Sequence, residues 1–480
     1  MKTRSLISIL IFMASACSSV GPKYQKPAVP DFPGSFKETG NWSKASPRDD
    51  IPKGKYWEIF KDPELNLLEE QVDASNQNIA ASFAAFAQAR ALVREAKAGY
   101  FPTATVSPQV FTSHGAITTS TGSQPIVNNG YTQYSLPLDA TWVPDLWGKV
   151  ADSVRQNVAN AQMSAADLEN TRLLQHTDLA IYYYQLRGQD SLQILYDSTV
   201  KAYTEALKLT RVRHETGIDS DESVAQAETQ LDQAKAQATQ LGIARAQYEH
   251  AIALLIGKSA SGFSIRPKPL DISPPLVPVG VPSLILQRRP DIAAAERSVA
   301  AANAGIGVAM AAWFPDLTLT GTVGIISSSL SQLLSAPSIV WSLGGTLAET
   351  VFDGGLRSAS VDASKAAYLQ AVATYRQAVL TAFQQTEDSL AGLRLLEKEV
   401  GEQGSAVKSA NRYLNIATNR YKLGIDPYLN VITAQTALLT SQQTEVTLKM
   451  QQLTTSMQLI EALGGGWDAS NLPSDKEAAK

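Results

Sequence analysis

The sequence predicts a mostly helical protein with a few membrane-type β-strands, in which one helix–strand unit is written twice. Three observations predict it. The first is repetition. Arg213-His214-Glu215-Thr216-Gly217-Ile218-Asp219 recurs as Arg420-Tyr421-Lys422-Leu423-Gly424-Ile425-Asp426, so that Gly217 falls on Gly424 and Asp219 on Asp426 at an offset of 207. The same offset carries Leu255-Ile256-Gly257 onto Ala462-Leu463-Gly464, and an offset of 213 carries Ile79 onto Ile292 and Phe101-Pro102 onto Phe314-Pro315. The second is a switch of hydrophobic period from 3.6 to 2 after each Phe-Pro step. The third is a pair of very long helical patterns without Pro, each followed by a heptad-patterned return segment.

At the N-terminus, Lys2 and Arg4 precede a short apolar run, Leu6 to Ala14, and Ala14-Ser15-Ala16 leads into Cys17, the one cysteine. This reads as a signal peptide over 1–16 rather than a span. Small residues entering a cysteine resemble a bacterial lipobox, which would leave Cys17 lipidated; the alternative is an ordinary signal peptide with an incidental cysteine. Ser18-Ser19 suit an outer-membrane destination, and an acylated Cys17 is a tether rather than a span. Residues 17–60, rich in Pro, Gly, Lys and Ser, read as an extended lead-in.

The first repeat, 61–258, starts with a helix over about 64–99 after Asp62-Pro63. Tyr100-Phe101-Pro102 stops it, because proline has no N–H for the helical ladder and disfavours helix in the residue before it. Strands are predicted near 103–111 and 131–142, where Tyr134, Leu136, Leu138, Ala140 and Trp142 alternate with Ser135, Pro137, Asp139 and Thr141. The second repeat, 283–467, places strands near 316–325 and 339–348. Each strand has one apolar and one small polar face, the pattern of a membrane barrel with a wet lumen. A half-buried soluble sheet shows the same alternation. Four strands cannot close a barrel, however, and open edges are not tolerated in hydrocarbon, so strands in lipid require several chains.

Long helices are predicted at 149–213 and 356–420, about 95–100 Å each at ~1.5 Å per residue. The return helices, 220–256 and 428–463, carry heptads: Val224, Leu231, Ala238 and Ile252 at one seam position, Ala227, Ala234, Leu241, Tyr248 and Leu255 at the other. Ile432, Leu439, Val446, Leu453 and Ile460 repeat every seven in the second copy, which indicates coiled-coil packing. The first helix and its return helix together match one long helix, so a wall of whole and broken helices is expected. The linker 259–282, the lead-in and the tail 468–480 are expected at the break.

A net charge of -4 and pI ≈ 5.7 give no support for a nucleic-acid surface. The histidines His114, His176, His214 and His250 lack metal-ligand spacing, Gly257-Lys258-Ser259 has no first glycine for a phosphate loop, and no Gly-x-Ser-x-Gly elbow occurs. No enzyme activity, metal or cofactor is expected beyond the lipid on Cys17.

Arg289-Pro290-Asp291-Ile292, Ala302-Asn303-Ala304, Ile306-Gly307, Phe314-Pro315, Phe352-Asp353-Gly354-Gly355 and Ala462-Leu463-Gly464-Gly465-Gly466-Trp467 together resemble the outer-membrane factor family. With Gly21-Pro22-Lys23-Tyr24 after Cys17, the resemblance is closest to its lipoprotein branch serving resistance-nodulation-division efflux pumps, and it covers nearly the whole mature chain. It implies a homotrimer: a 12-stranded outer-membrane β-barrel with four strands per chain, a mixed equatorial region, and a long periplasmic α-helical barrel. It also implies a passive exit duct, opened at its tip by a periplasmic membrane-fusion adaptor and an inner-membrane pump.

By the same resemblance Arg213, Gly217, Asp219, Arg420 and Gly424 would meet the adaptor, and Tyr421 would help hold the closed end. The family's acidic constriction falls on Asn430 and Thr433, so no carboxylate ring is expected there; Asp219, Asp221, Glu222 and Asp426 could supply negative potential nearby, with a solvated face the alternative for them. Arg289-Pro290-Asp291 reads as a helix start. A protein-secretion duct served by an ABC transporter and a lipid-tethered periplasmic coiled-coil scaffold remain as alternatives, and the cargo is open.

Overall fold

The computed structural model of the chain describes residues 19–29, 36–38, 55–113, 130–275, 277 and 285–479. Cys17, His114 and the end of the 259–282 linker lie outside these residues. The main elements are α1 (Pro63–Ser75), α2 (Gln77–Ala98), β1 (Thr103–Val106), β2 (Gln109–Ser113), β3 (Tyr131–Trp142), α3 (Lys149–Glu215) and α4 (Asp221–Leu255). After one helical turn at Ile285–Arg288 come α5 (Pro290–Ala311), β4 (Asp316–Ser327), β5 (Ile339–Ala348), α6 (Leu356–Lys422) and α7 (Tyr428–Ala462). Long helices α3 and α6 have 67 residues each and return helices α4 and α7 have 35 each. None of the helices is long and apolar enough to cross a membrane, among the described residues.

Two predicted elements are divided. The single helix expected over 64–99 is α1 and α2, broken at Asn76, whose backbone is extended (φ -70, ψ 123). The Asn76 side chain caps α2 by accepting from Asn78 N at 2.9 Å and Ile79 N at 3.1 Å, satisfying donors that the helix leaves unpaired. The strand expected near 103–111 is β1 and β2, interrupted at Ser107-Pro108 opposite Leu136-Pro137 of β3. Neither proline can donate to a ladder, so the pairing thins where they meet to Ser107 N donating to Pro137 O at 3.3 Å. On the other side Pro137 pairs with Gly324, where a Cβ would come within 2.7 Å of Leu136 O.

Sheet order is β1/β2–β3–β4–β5, antiparallel throughout. Register brings like faces together. Leu138 lies between Val106 and Val323, and Asp139 between Thr105 and Thr322, whose hydroxyl donates to Asp139 at 2.7 Å. The helices follow the same order: α2 and α4 pack on one side of α3, α5 and α7 on its other side, and α6 packs on α5 and α7. Where helix passes to strand, Trp147 stacks on Phe314 with ring centroids 4.8 Å apart and donates to Pro315 O at 2.8 Å.

The largest core lies at mid-height, around Trp57, Val72, Tyr183, Ile252, Tyr375 and Leu453, all 2% exposed or less. Full burial stabilises by about 1.5–3 kcal/mol per large apolar side chain. Residues 56–60 are not extended: they form a 3-10 turn that inserts Tyr56, Trp57 and Phe60 into this core. The described part of the 259–282 linker does lie here, but without strands. Its backbone is held by side chains, Lys268 N donating to Asp190 at 2.9 Å and Leu270 N to Ser191 at 2.7 Å.

The two chain ends depart from the mid-height placement. Near the N-terminus, Ser19 donates to Asp152 at the start of α3 and Val20 N donates to Trp147 O at 3.3 Å, next to the sheet. At the other end, Ala478 is fully buried against Ala89, Val93, Val158 and Ala161, and Lys97 Nζ donates to Ala479 O at 2.8 Å. Small residues on α2 and α3 leave a groove there, and the tail fills it.

Broken helices meet end to end at two joints. At the first, Asn76 Nδ2 donates to Leu255 O at 2.9 Å, tying the end of α4 to the start of α2. At the second, Arg289 Nη1 donates to Ala462 O at 3.2 Å, tying the end of α7 to the start of α5.

Candidate functional site

The α3–α4 and α6–α7 turns form the far end of the helical wall. Each long helix ends at a glycine in the left-handed region, Gly217 at φ 74 and Gly424 at φ 75. The next amide turns back onto the helix: Ile218 N donates to Arg213 O at 2.8 Å and Ile425 N to Arg420 O at 2.9 Å, which satisfies carbonyls at the helix end. In both turns an arginine reaches six residues forward to an aspartate. Arg213 Nε lies 3.0 Å from Asp219 Oδ2; Arg420 binds Asp426 through Nε at 2.6 Å and Nη2 at 3.0 Å.

The surroundings of the two pairs differ. Arg213 and Asp219 are 14% and 12% exposed at their side chains, Arg420 and Asp426 49% and 20%. The cover over the first pair is Tyr421 from the second turn. Its hydroxyl donates to Asp219, its ring lies 4.6 Å from the Arg213 guanidinium, and Arg213 Nη1 reaches Lys422 O at 3.5 Å. Burial, then the bond to Asp219, pushes the Tyr421 phenol up to about 12, so it stays a donor across the physiological range. The hydrogen bond from Arg420 holds the Asp426 carboxyl below its usual range, with Asn430 contributing in the same direction.

Of the residues singled out from the sequence, Arg213, Asp219 and Tyr421 are brought together, and Arg420, Asp426 and Asn430 form a second, more solvated group. Thr433 joins neither: it is exposed and its hydroxyl donates to Leu429 O at 2.9 Å on its own helix. Gly217 and Gly424 have open space where a Cβ would stand. Three participants were not singled out. Thr210 Oγ1 lies 3.3 Å from the Tyr421 hydroxyl, Tyr428 packs on Tyr421 with centroids 5.2 Å apart, and Tyr203 is buried in the same cluster. The signal for two of them was available, since Tyr203, Leu207 and Thr210 make an i, i+4, i+7 stripe on α3.

This arrangement is a clasp between two helix pairs. A buried hydrogen bond to a charged group contributes about 1.5–3 kcal/mol, enough to bias the separation of the tips without fixing it. Nothing in the cluster pairs a nucleophile with a base, and no group of three or more ligand side chains able to hold a metal occurs among the described residues.

Comparison with known proteins agrees with this architecture. The family model for outer membrane efflux proteins matches twice, over residues 68–258 and 281–465. The solvent efflux pump outer membrane protein SrpC of Pseudomonas putida is 31% identical over 477 residues, covering 98% of this chain and 100% of the relative. The antibiotic efflux pump outer membrane protein ArpC of Pseudomonas putida is 31% identical over 471 residues, covering 97% and 96%. Among solved structures, the outer-membrane channel OprN superposes with a TM-score of 0.85 at 27% identity, covering 94% of this chain and 100% of that one. With two matches across most of its length and full-length relatives of one kind, the chain belongs to the outer membrane efflux protein family and serves as an outer-membrane channel in efflux.

Proposed function

We propose that three copies of this chain close into one tube, a 12-stranded β-barrel in the outer membrane continued by an α-helical barrel in the periplasm. The tube is the passive exit duct of a tripartite pump. One observation carries the closure. The sheet of a single chain ends in two open edges, β1/β2 and β5, and β5 is exposed along its whole length. The helical wall is open on the corresponding sides, at α2 with α4 and at α6. Unpaired edge groups are intolerable in hydrocarbon. Joining β5 and α6 of one copy to β1/β2, α2 and α4 of the next removes both open sides once the head-to-tail rotation closes a ring of copies.

Lipidation of Cys17 fits the same picture, because Ser19 and Val20 are pinned beside Trp147, at the end of the sheet. The test is the mass and chemical crosslinking of the intact chain in detergent, alongside Cys17→Ala. A trimer is expected, and Cys17→Ala should lose the lipid yet remain in the outer membrane. A monomer, or release of Cys17→Ala into the soluble fraction, would favour a tethered scaffold instead.

The clasp at the tips is the gate, and the surface around it is where adaptor and inner-membrane pump engage. Ile218, Leu423 and Ile425 are 63%, 75% and 58% exposed beside Arg213, Gly217, Asp219, Arg420 and Gly424, an apolar cluster that suits a docking partner. Opening breaks the Tyr421–Asp219 bond and lets α3–α4 and α6–α7 part. Cargo then diffuses through the lumen, its identity set by the pump rather than by this chain. Tyr421→Phe deletes the hydroxyl and keeps the ring. It should raise single-channel conductance in planar bilayers, and an unchanged conductance would remove Tyr421 from the gate.

A further inference from the structure

The mid-height core contains a buried titratable cluster that the duct and its gate do not use. Glu69 of α1 is fully buried and His176 of α3 is 2% exposed. His176 Nδ1 lies 2.6 Å from Glu69 Oε2, and His176 Nε2 lies 3.3 Å from Asp73 Oδ1, so one imidazole sits between two carboxylates of the same helix. The indole of Trp57 stacks on it, centroids 4.4 Å apart and planes at 24°. Glu69 Oε1 is buried without a hydrogen-bond partner, which penalises the ionised carboxylate.

The other charged and titratable groups around the cluster are few. On α3, Arg172 Nε lies 3.0 Å from Asp73 and Arg172 also pairs with Glu169 at 2.6 Å. Tyr56 donates its hydroxyl to Leu173 O at 3.1 Å and feels Glu69 most among the charges near it, then Glu461 of α7 and Asp178 of α3.

The position of α1 gives the cluster leverage. Three residues after Asp73, Asn76 caps α2 and holds Leu255 O at the end of α4, the helix that carries the first tip. Asn76 also donates to Gln175 of α3 at 3.1 Å, one residue before His176. A shift of α1 on α3 therefore moves the cap of this joint.

We infer that Glu69, His176 and Asp73 form a pH-sensitive latch for α1, tight in an acid periplasm and loosened in an alkaline one, which sets how firmly α4 is seated on α2. The sign follows from both partners. Burial pushes the Glu69 carboxyl up to about 7, more than His176 pulls it down. Burial opposes the His176 imidazolium, but the two carboxylates facing it, Asp73 and Glu69, prevail and raise it to about 9. Glu69 and His176 each hold their proton more tightly folded than unfolded, whereas Asp73, lowered chiefly by His176, contributes the opposite sign only at lower pH, below its ordinary value of 3.8. The stabilisation is therefore present in acid, below the ordinary values of 4.5 and 6.5, and is lost as pH rises through about 7 and about 9. At the second joint the buried cation is instead the guanidinium of Arg289, which keeps its charge throughout, and the carboxyl beside it, Glu461, is raised by burial without a histidine between carboxylates.

The test is amide hydrogen exchange on the intact protein in detergent across pH 6 to 9.5, corrected for intrinsic exchange. It reads α1 directly and does not depend on how many copies assemble. Protection of α1 should fall about tenfold or more across that range relative to the later turns of α5. His176→Gln, which keeps a polar side chain and cannot titrate, should remove the part of the fall near pH 9 and move the Glu69 part upward, since His176 no longer pulls that carboxyl down. Glu69→Gln should remove the part of the fall near pH 7 and serves where His176→Gln folds poorly. Parallel profiles for α1 and α5, or a fall unchanged in either variant, would overturn the latch.

Discussion

Both joints in the helical wall do the same work with different chemistry. In each, a 35-residue return helix ends against the start of a 22-residue helix, and a glycine at the end of the return helix makes the approach possible. A Cβ on Gly257 would stand 2.4 Å from Ser75 O, and one on Gly464 2.0 Å from Arg288 O. What crosses the joint differs. The first uses the neutral amide of Asn76, buried at 4% exposure, with the titratable latch nearby. The second uses Arg289, fixed by Asp291 through Nε at 3.0 Å and Nη2 at 2.6 Å. A neutral cap draws its position from its neighbours, whereas an arginine clamped by its own carboxylate carries its orientation with it. The first joint is thus open to adjustment and the second is built to stay.

The comparison can be broken where the geometry is tightest. Gly464→Ala places a methyl against backbone at φ 89 and should cost more than about 3 kcal/mol, read as a large drop in thermal midpoint in detergent. Gly217→Ala is the contrast: φ is 74 with open space around it, so only backbone strain of about 1–2 kcal/mol is expected. Equal losses for the two would mean that the close approach at the joint is not what requires glycine.

A smaller difference sharpens the contrast between the caps. Asn76→Ala removes the cap of α2 and the partner of Leu255 O together, about 2–3 kcal/mol. Arg289→Lys keeps the charge and loses the fork to Asp291, about 1–2 kcal/mol. Denaturant unfolding of the two variants checks the order, and a larger loss at Arg289 would mean that the fork to Asp291 holds more of its joint than the double role of Asn76 holds of the other.

Much of this was legible in the residues, and one miss is instructive. The reading of 64–99 as one helix overlooked Asn76, because neither Pro nor Gly marks it. Its own repeat did mark it: an offset of 213 sets Asn76 on Arg289 and Gln77 on Pro290, the first residue of α5. Pro108 likewise announced the gap between β1 and β2, since a residue without N–H leaves a ladder unpaired. The tip turns were readable from Gly217 and Gly424, and their Arg–Asp pairs from the shared spacing of six.

Tyr421 on Asp219, Asn76 on Leu255 and His176 between Glu69 and Asp73 were not readable in that way. By itself the sequence determined the periods, the turns and the doubled order of elements, because these depend on spacings of a few residues and on backbone freedom at single positions. The tertiary structure alone decided which side chains meet. Partners more than a hundred residues apart are selected by how helices pack, and packing responds to the whole surface of each helix rather than to any one residue on it.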